Sequence, residues 1–523
     1  MSKAEESPTT EVRNAPTSTT GILRNVGPGM ILAGSIVGSG ELIATTRTGA
    51  EAHFDFLWLI IIGCIIKVFA QIELGRYAIT NGKTTLAALN EVPGPMIQVE
   101  VGQRKMRANW IIWYWFVMFL AILGQQGGIV GGVGQAMAIS VPLTEEGKAY
   151  NEYVAQKVKL DVTKAGLVNA ASTEKQAIEA EIVQLKAALD KVGEVPKAKD
   201  HIYWSLILTL AAIFLLVWGN FSFIQRFSVF LVASFTLITI ANLFALQSYD
   251  KWAVTAEEFS RGLSFGFPES EEGGTNPLVT ALATFGIIGV GAAELLAYPY
   301  WCLEKGYGKY VGKRDQSDAW VHRAKGWMKV MHWDAWGAML VYTFCTIAFY
   351  LLGAAVLGRS HLVPEGPEMV QTLSAMYQPV FGDFAQNLFL FGAFAVLFST
   401  FYVAIAAQGR LAVDVVKVSG FANLAESQRQ RGLKWMGVIL PILSVLCYVF
   451  FPKPVLLVLI SGTMQAIMLP MIGFAVLYFR YKKSDKRLQP GKLWDIFLWI
   501  SFAGFLVVGI YQTLSKLLPN LFK

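Results

Sequence analysis

Three charged side chains lie deep within apolar runs of this sequence, and they carry most of the chemistry it can do: Glu41, Lys67 and Glu294. Glu41 closes the stretch GSIVGSGE (34–41), and Glu294 closes GIIGVGAAE (286–294). Each stretch sits mid-run, clusters three glycines and ends in a carboxylate. A carboxylate at bilayer depth costs about 2.5–3.5 kcal/mol even on lenient insertion scales. An interrupted helix is tolerated there only where protein or a wet cavity satisfies the freed backbone. A bound ion answers both demands. The carbonyls around Ser35, Val37, Ser39, Val290 and Gly291, the Ser39 hydroxyl and the two carboxylates form an oxygen-rich donor set of the kind hard cations prefer. Lys67 offers the opposite chemistry. Paired with Glu41 or Glu294 it neutralises one carboxylate, and with half-helix N-termini it suits an anionic or zwitterionic group. A structural pairing with some other acid is the plainer alternative.

The elements that must position these groups are membrane spans. Of 523 residues, 54% are hydrophobic and only 15% charged, with a mean hydropathy of +0.46. Soluble domains carry about 25% charged residues, so the chain reads as an all-α integral membrane protein. A span needs about 20 apolar residues, and about eleven stretches qualify. The glycine-interrupted stretches fall in the first and sixth of them. Interruptions at corresponding places of two five-span halves point to an inverted repeat with a binding site between them near the midplane. The halves are 24–247 and 276–479, with an additional eleventh span in 494–523. GIVGGVG (128–134) in the third span reads as close helix packing. Gln125, Gln126, Gln408 and Gln465 are further polar residues that either line a path or bond between helices.

The net charge of +7 does not indicate a nucleic-acid partner, because the excess Lys and Arg sit in short loops between spans. The basic loops alternate with acidic or neutral ones, which places the N-terminus in the cytoplasm and the C-terminus outside. The four cysteines have neither CxxC nor His-paired spacing, which argues against disulfides and zinc sites. Residues 1–23 lack the apolar core of a signal peptide and read as a disordered cytoplasmic tail. Residues 142–200 are polar. Ile178, Ile182, Leu185 and Leu189 make one helical stripe and Tyr150, Tyr153, Val154 and Val158 another, so this insertion is expected to be an external helical hairpin.

Three segments carry a family resemblance. GPGMILAGSIVGSGELIATTRTGAEAHFDFLW, ELGRYAITNGKTTLAAL and ISGTMQAIMLP resemble the first span, the second-to-third connection and the tenth span of the Nramp metal-ion transporters. The resemblance implies the LeuT-type fold with broken first and sixth helices. The family's metal-binding motifs are missing. Its Asp-Pro-Gly-Asn falls on Gly38, Ser39, Gly40 and Glu41, its sixth-span Met-Pro-His is absent with Glu294 near the methionine, and its tenth-span glutamine falls on Gly462.

The function expected is therefore a secondary-active or facilitative transporter in the plasma membrane. It would move a hard, Mg- or Mn-like divalent cation by alternating access, without the family's usual proton coupling. The expected binding residues are Gly38, Ser39, Gly40, Glu41, Lys67, Gly291, Glu294, Gly462 and Gln465, with Glu41 and Glu294 as metal ligands. The alternative keeps the fold and carries a small anion or zwitterion, for example a small carboxylate or bicarbonate. Neither reading calls for a cofactor or for enzyme activity. The partners are a small ion or molecule and the lipid bilayer.

Overall fold

A computed structural model describes residues 12–518, apart from 103, 169–171, 193, 194, 196, 220 and 269–275. Eleven helices among the described residues are long and apolar enough to cross a membrane: Pro28–Ala52, Leu57–Asn81, Trp110–Ser140, Asp200–Trp218, Val229–Leu246, Pro277–Glu304, Asp318–Gly358, Ala385–Val418, Glu426–Phe450, Pro454–Lys483 and Lys492–Leu517. They are numbered spans 1 to 11 in this order. The eleven expected spans are all present, because length and apolarity are local properties that the chain cannot hide.

Span 6 is broken. Span 6a (Pro277–Ile287) ends at an extended Ile288, Gly289 adopts φ +55°, and span 6b (Ala292–Glu304) starts after Gly291. Only glycine takes the left-handed conformation at position 289 without strain. Span 1 differs from the expectation of a break. It runs as α-helix over Pro28–Ile36, as π-helix over Val37–Thr45 and as α-helix again over Thr46–Ala52. The chain widens there without unwinding. The Thr45 hydroxyl donates to the Gly40 carbonyl at 2.8 Å, five residues back, and the Thr46 hydroxyl reaches the Glu41 carbonyl in the same way at 3.4 Å. The carbonyls around Ser35, Val37 and Ser39 therefore lie within a wound helix and not at an unwound gap.

The small residues of this region serve close approach. A β-carbon at Gly38 would lie 2.7 Å from Thr400 Cβ of span 8, and one at Gly40 would lie 3.0 Å from the Ile287 carbonyl oxygen. In span 3, a β-carbon at Gly127 would meet the Ser444 carbonyl of span 9 and one at Gly128 the Pro454 carbonyl of span 10, both inside contact distance. GIVGGVG is thus a packing surface.

Loops clasp each other at both ends of the bundle. At the end where span 1 begins, Arg410 pairs with Glu304 at 2.8 Å, Arg314 with Asp485 at 3.1 Å, and the Arg107 N–H donates to the Ser419 carbonyl at 2.9 Å. At the opposite end Arg47 pairs with Glu51 at 2.6 Å and with Glu365 at 2.8 Å, and Arg359 pairs with Glu258 at 2.6 Å.

Three local features complete the fold. Glu145–Val168 and Ser172–Val192 lie side by side, joined by a Lys159–Glu181 pair at 3.1 Å, with Val154, Val158 and Ile182 buried. Lys157 reaches Glu368 at 3.1 Å, so the first of these helices rests on the connection between spans 7 and 8. Met96–Val101 and Arg104–Asn109 form an antiparallel two-stranded hairpin, an exception to the all-α expectation. Part of the expected disordered tail is structured too. Thr19–Asn25 is helical, the Arg13 N–H donates to the Tyr310 carbonyl at 3.1 Å, and the Arg13 guanidinium lies 3.7 Å from the centre of the Tyr310 ring. Cation–π contact of this kind adds to the burial of Ile22 in holding this segment on the bundle.

Candidate functional site

Spans 1, 3, 6b and 8 enclose a small cavity of about 10 Å³, room for about one water-sized group. Its polar lining is Ser35 from span 1, Gln125 and Gln126 from span 3, Glu294 from span 6b and Gln408 from span 8. Glu294 stands in the first turn of span 6b, whose N-terminal N–H groups give a positive end. Its Oε2 packs so closely on Gly291 that a β-carbon there would lie 2.5 Å away. The oxygens Gln126 Oε1 and Gln408 Oε1 are buried with no hydrogen-bond partner among the described residues. Acceptors held this way invite a donor or a cation.

A network of amides and hydroxyls supports this cavity. Gln125 Nε2 donates to Ser39 Oγ at 2.9 Å, and its Oε1 accepts from Ser461 Oγ at 2.9 Å and Gln465 Nε2 at 2.8 Å. Gln465 Oε1 in turn accepts the Ala293 N–H at 3.0 Å, which fixes span 10 to the start of span 6b. Ser39 and Gln465 therefore act one step behind the cavity wall.

Glu41 is on another side. It is fully buried, and its Oε1 accepts the Gly289 N–H at 3.2 Å and the Thr346 hydroxyl at 3.0 Å. It binds the backbone of the span 6 break and does not line the cavity with Glu294. On a helix, positions 39 and 41 point to different faces, which sends Ser39 toward span 3 and Glu41 toward span 7. No group of three or more His, Cys, Asp or Glu able to hold a metal occurs among the described residues. Of the two expected metal ligands, Glu294 lines the cavity and Glu41 bonds the backbone of the span 6 break.

Lys67 takes neither carboxylate. Its Nζ donates to the carbonyls of Phe285 and Ile288, the latter at 2.8 Å, at the C-terminal end of span 6a. Gly462 also has another task than expected. A β-carbon there would lie 2.5 Å from the Ala283 carbonyl oxygen, so this glycine lets span 10 lie against span 6a and leaves no room for ion-bound water. The Glu73–Arg76 pair, one turn apart, forms at 3.0 Å.

Two further residues were not singled out by sequence reasoning. Thr346 gives Glu41 Oε1 its second donor, while Glu41 Oε2 is buried with no hydrogen-bond partner among the described residues, and Asp334 accepts the N–H groups of Gly27 and Gly29 at the start of span 1. An isolated acid within the apolar run of span 7 was the available signal for Asp334.

A broken sixth span, a distorted first span packed against it, and a polar cavity beside both define a LeuT-type membrane transporter. The fold agrees with that of the Eremococcus coleocola manganese transporter. Three mutant crystal structures of that protein superpose with TM-scores of 0.60 and 13% identity, covering 97–98% of this chain and 91% of that one. The family follows from the sequence itself: residues 165–515 match the model of the natural resistance-associated macrophage protein-like (Nramp) family, and the chain belongs to that family. The rewritten first span lies outside the matched stretch. No individual curated protein matches the chain in sequence.

Proposed function

We propose that this Nramp protein moves a hard divalent metal cation, of the Mg or Mn kind, by alternating access through the cavity between spans 1, 3, 6b and 8. The observation that carries this reading is Glu294, the carboxylate that lines the cavity, accompanied by the partnerless oxygens of Gln126 and Gln408. The donors are all oxygen, and no methionine, cysteine or histidine lines the cavity. Such a set favours cations that keep part of their water shell over soft transition metals. Family membership and the likeness to a manganese transporter support a metal cargo. Glu41 then serves the break in span 6 and Glu294 the ion. The anion or zwitterion reading loses its main support, because Lys67 is already engaged by backbone carbonyls.

Among the described residues no histidine lines the cavity to shuttle a proton, and the membrane potential is the driving force in this reading. The loops at the end where span 1 begins carry Arg104, Lys105, Arg107, Lys313, Arg314 and Lys482–Arg487, which supports a cytoplasmic N-terminal end and an external C-terminus in our reading of a plasma-membrane carrier. The test is uptake of Mn²⁺ and Mg²⁺ into proteoliposomes. Saturable uptake that disappears in Glu294→Gln is the expected result. Unchanged uptake in that variant overturns the site, and no uptake by folded wild-type protein overturns the cargo.

A further inference from the structure

The break in span 6 leaves the last carbonyls of span 6a without helical N–H partners, at the negative end of a half-helix. In carriers built on discontinuous helices such ends are where a cation binds. Here the position is filled from within. Lys67 Nζ donates to two of these carbonyls, Phe285 and Ile288, and lies 4.6 Å from the centre of the Phe285 ring. The side chain is wholly buried, and the described ion pairs include no carboxylate partner for it. An ammonium in that setting is held directly by dipoles and a ring face, with the Glu294 and Glu41 carboxyl groups acting on it only from beyond contact.

Span 2 is shaped to deliver it. A β-carbon at Gly63, one turn before Lys67, would lie 2.9 Å from the Phe285 ring and 3.1 Å from Ile288, so span 2 lies directly on the end of span 6a. On the other side of the break Glu41 accepts the Gly289 N–H. The break is thus gripped by a cationic side chain on its carbonyls and a carboxylate on its N–H.

We propose that the Lys67 ammonium is a tethered cation that occupies the cation seat at the span 6 break, so that the carrier works without a free monovalent co-ion. Removing the side chain reopens the seat to a small free cation such as Na⁺ or an alkylammonium. The inference rests on the transporter reading for its flux assay, and a binding readout keeps it separable from the identity of the cargo.

The experiment uses purified full-length Lys67→Ala and Lys67→Met. Thermal unfolding is followed in choline, Na⁺ and ethylammonium chloride, with Mn²⁺ uptake into proteoliposomes in the same salts. Wild type is expected to behave alike in all three. Lys67→Ala should lose uptake in choline, regain it in Na⁺ or ethylammonium, and show a saturable rise in Tm with those cations, as binding to the folded state requires. Lys67→Met keeps the bulk without the charge and should lose uptake in every salt. A Lys67→Met protein as active and stable as wild type overturns the proposal. So does a Lys67→Ala protein whose Tm no small cation raises. If wild type and both variants fail to transport Mn²⁺ but Lys67→Ala alone gains Tm with Na⁺ or ethylammonium, the seat stands and the cargo is wrong.

Discussion

The Tyr298 hydroxyl donates to Asp334 Oδ2 at 3.0 Å, a contact that ties span 6b to span 7. The same carboxylate accepts the N–H of Gly27 at 2.7 Å and of Gly29 at 2.6 Å. Asp334 is therefore an N-cap supplied to span 1 from about 300 residues away. Gly29 permits it, since a β-carbon there would lie 2.6 Å from the Asp334 carbonyl oxygen. Two residues along, Tyr300 donates to Asp414 of span 8 at 2.6 Å. The two tyrosines hold span 6b between spans 7 and 8 just beyond the cavity.

This clasp must release if the cavity opens toward the end where span 1 begins. Asp334→Asn keeps the shape but weakens charge-assisted bonds to two orphan N–H groups, at a cost of about 1–3 kcal/mol. A cysteine placed at Ser35 should then react faster with a membrane-impermeant thiol reagent applied from that side. Tyr298→Phe should give a smaller effect in the same direction. Equal reaction rates in all three proteins would exclude Asp334 as a gate contact.

Glu41 and Glu294 should separate in kinetics. Glu41→Gln retains an acceptor for the Gly289 N–H and Thr346 hydroxyl, so the variant is expected to fold with little change in the apparent affinity for Mn²⁺. Glu294→Gln removes the charge that faces the cavity and should raise KM or abolish uptake. The reverse ranking would place the ion at Glu41.

Gly38 tests whether span 1 uses its glycines for packing or for unwinding. Gly38→Ala drives a methyl group against Thr400 and should cost about 1–3 kcal/mol through overpacking, read as a lower Tm. Adding Thr400→Gly should recover part of the loss. A backbone role for Gly38 predicts no such recovery.

The clasp at Asp485 lies outside the spans and sets a pH window. Hydrogen bonds from Arg487, with Arg314 nearby, hold this carboxyl well below the usual carboxylate range. A depressed folded-state value means that the stabilisation is present above the unfolded-state value and is lost only as pH falls through the folded one. Asp485→Asn should therefore lower Tm at neutral pH, and its difference from wild type should persist through mildly acidic pH. A difference that vanished near the ordinary aspartate range would contradict the assignment.

What could be read from the sequence is what short-range chemistry specifies. The eleven spans follow from length and apolarity, the Glu73–Arg76 pair from its spacing, and the break in span 6 from three glycines in six residues. The strand pair Met96–Val101 and Arg104–Asn109 was also written locally, as alternating residues either side of Gly102.

Other features depended on partners that sequence order does not reveal. Three glycines in span 1 and three in span 6 look alike, yet Gly38, Gly40 and Gly286 let helices touch while Gly289 lets the chain turn, because the partners of the first three come from other helices. The partners of Lys67 are backbone carbonyls, which every residue possesses and no residue type announces. Gln126, Gln408 and Glu294 meet only where spans 3, 8 and 6b converge. The sequence by itself determined that this chain is a membrane-spanning bundle with a polar interruption in its sixth span, since lipid demands that of its composition. Only the tertiary structure decided which carboxylate faces a cavity and which grips the break, because side-chain direction is set by the winding of span 1 and by neighbours hundreds of residues away.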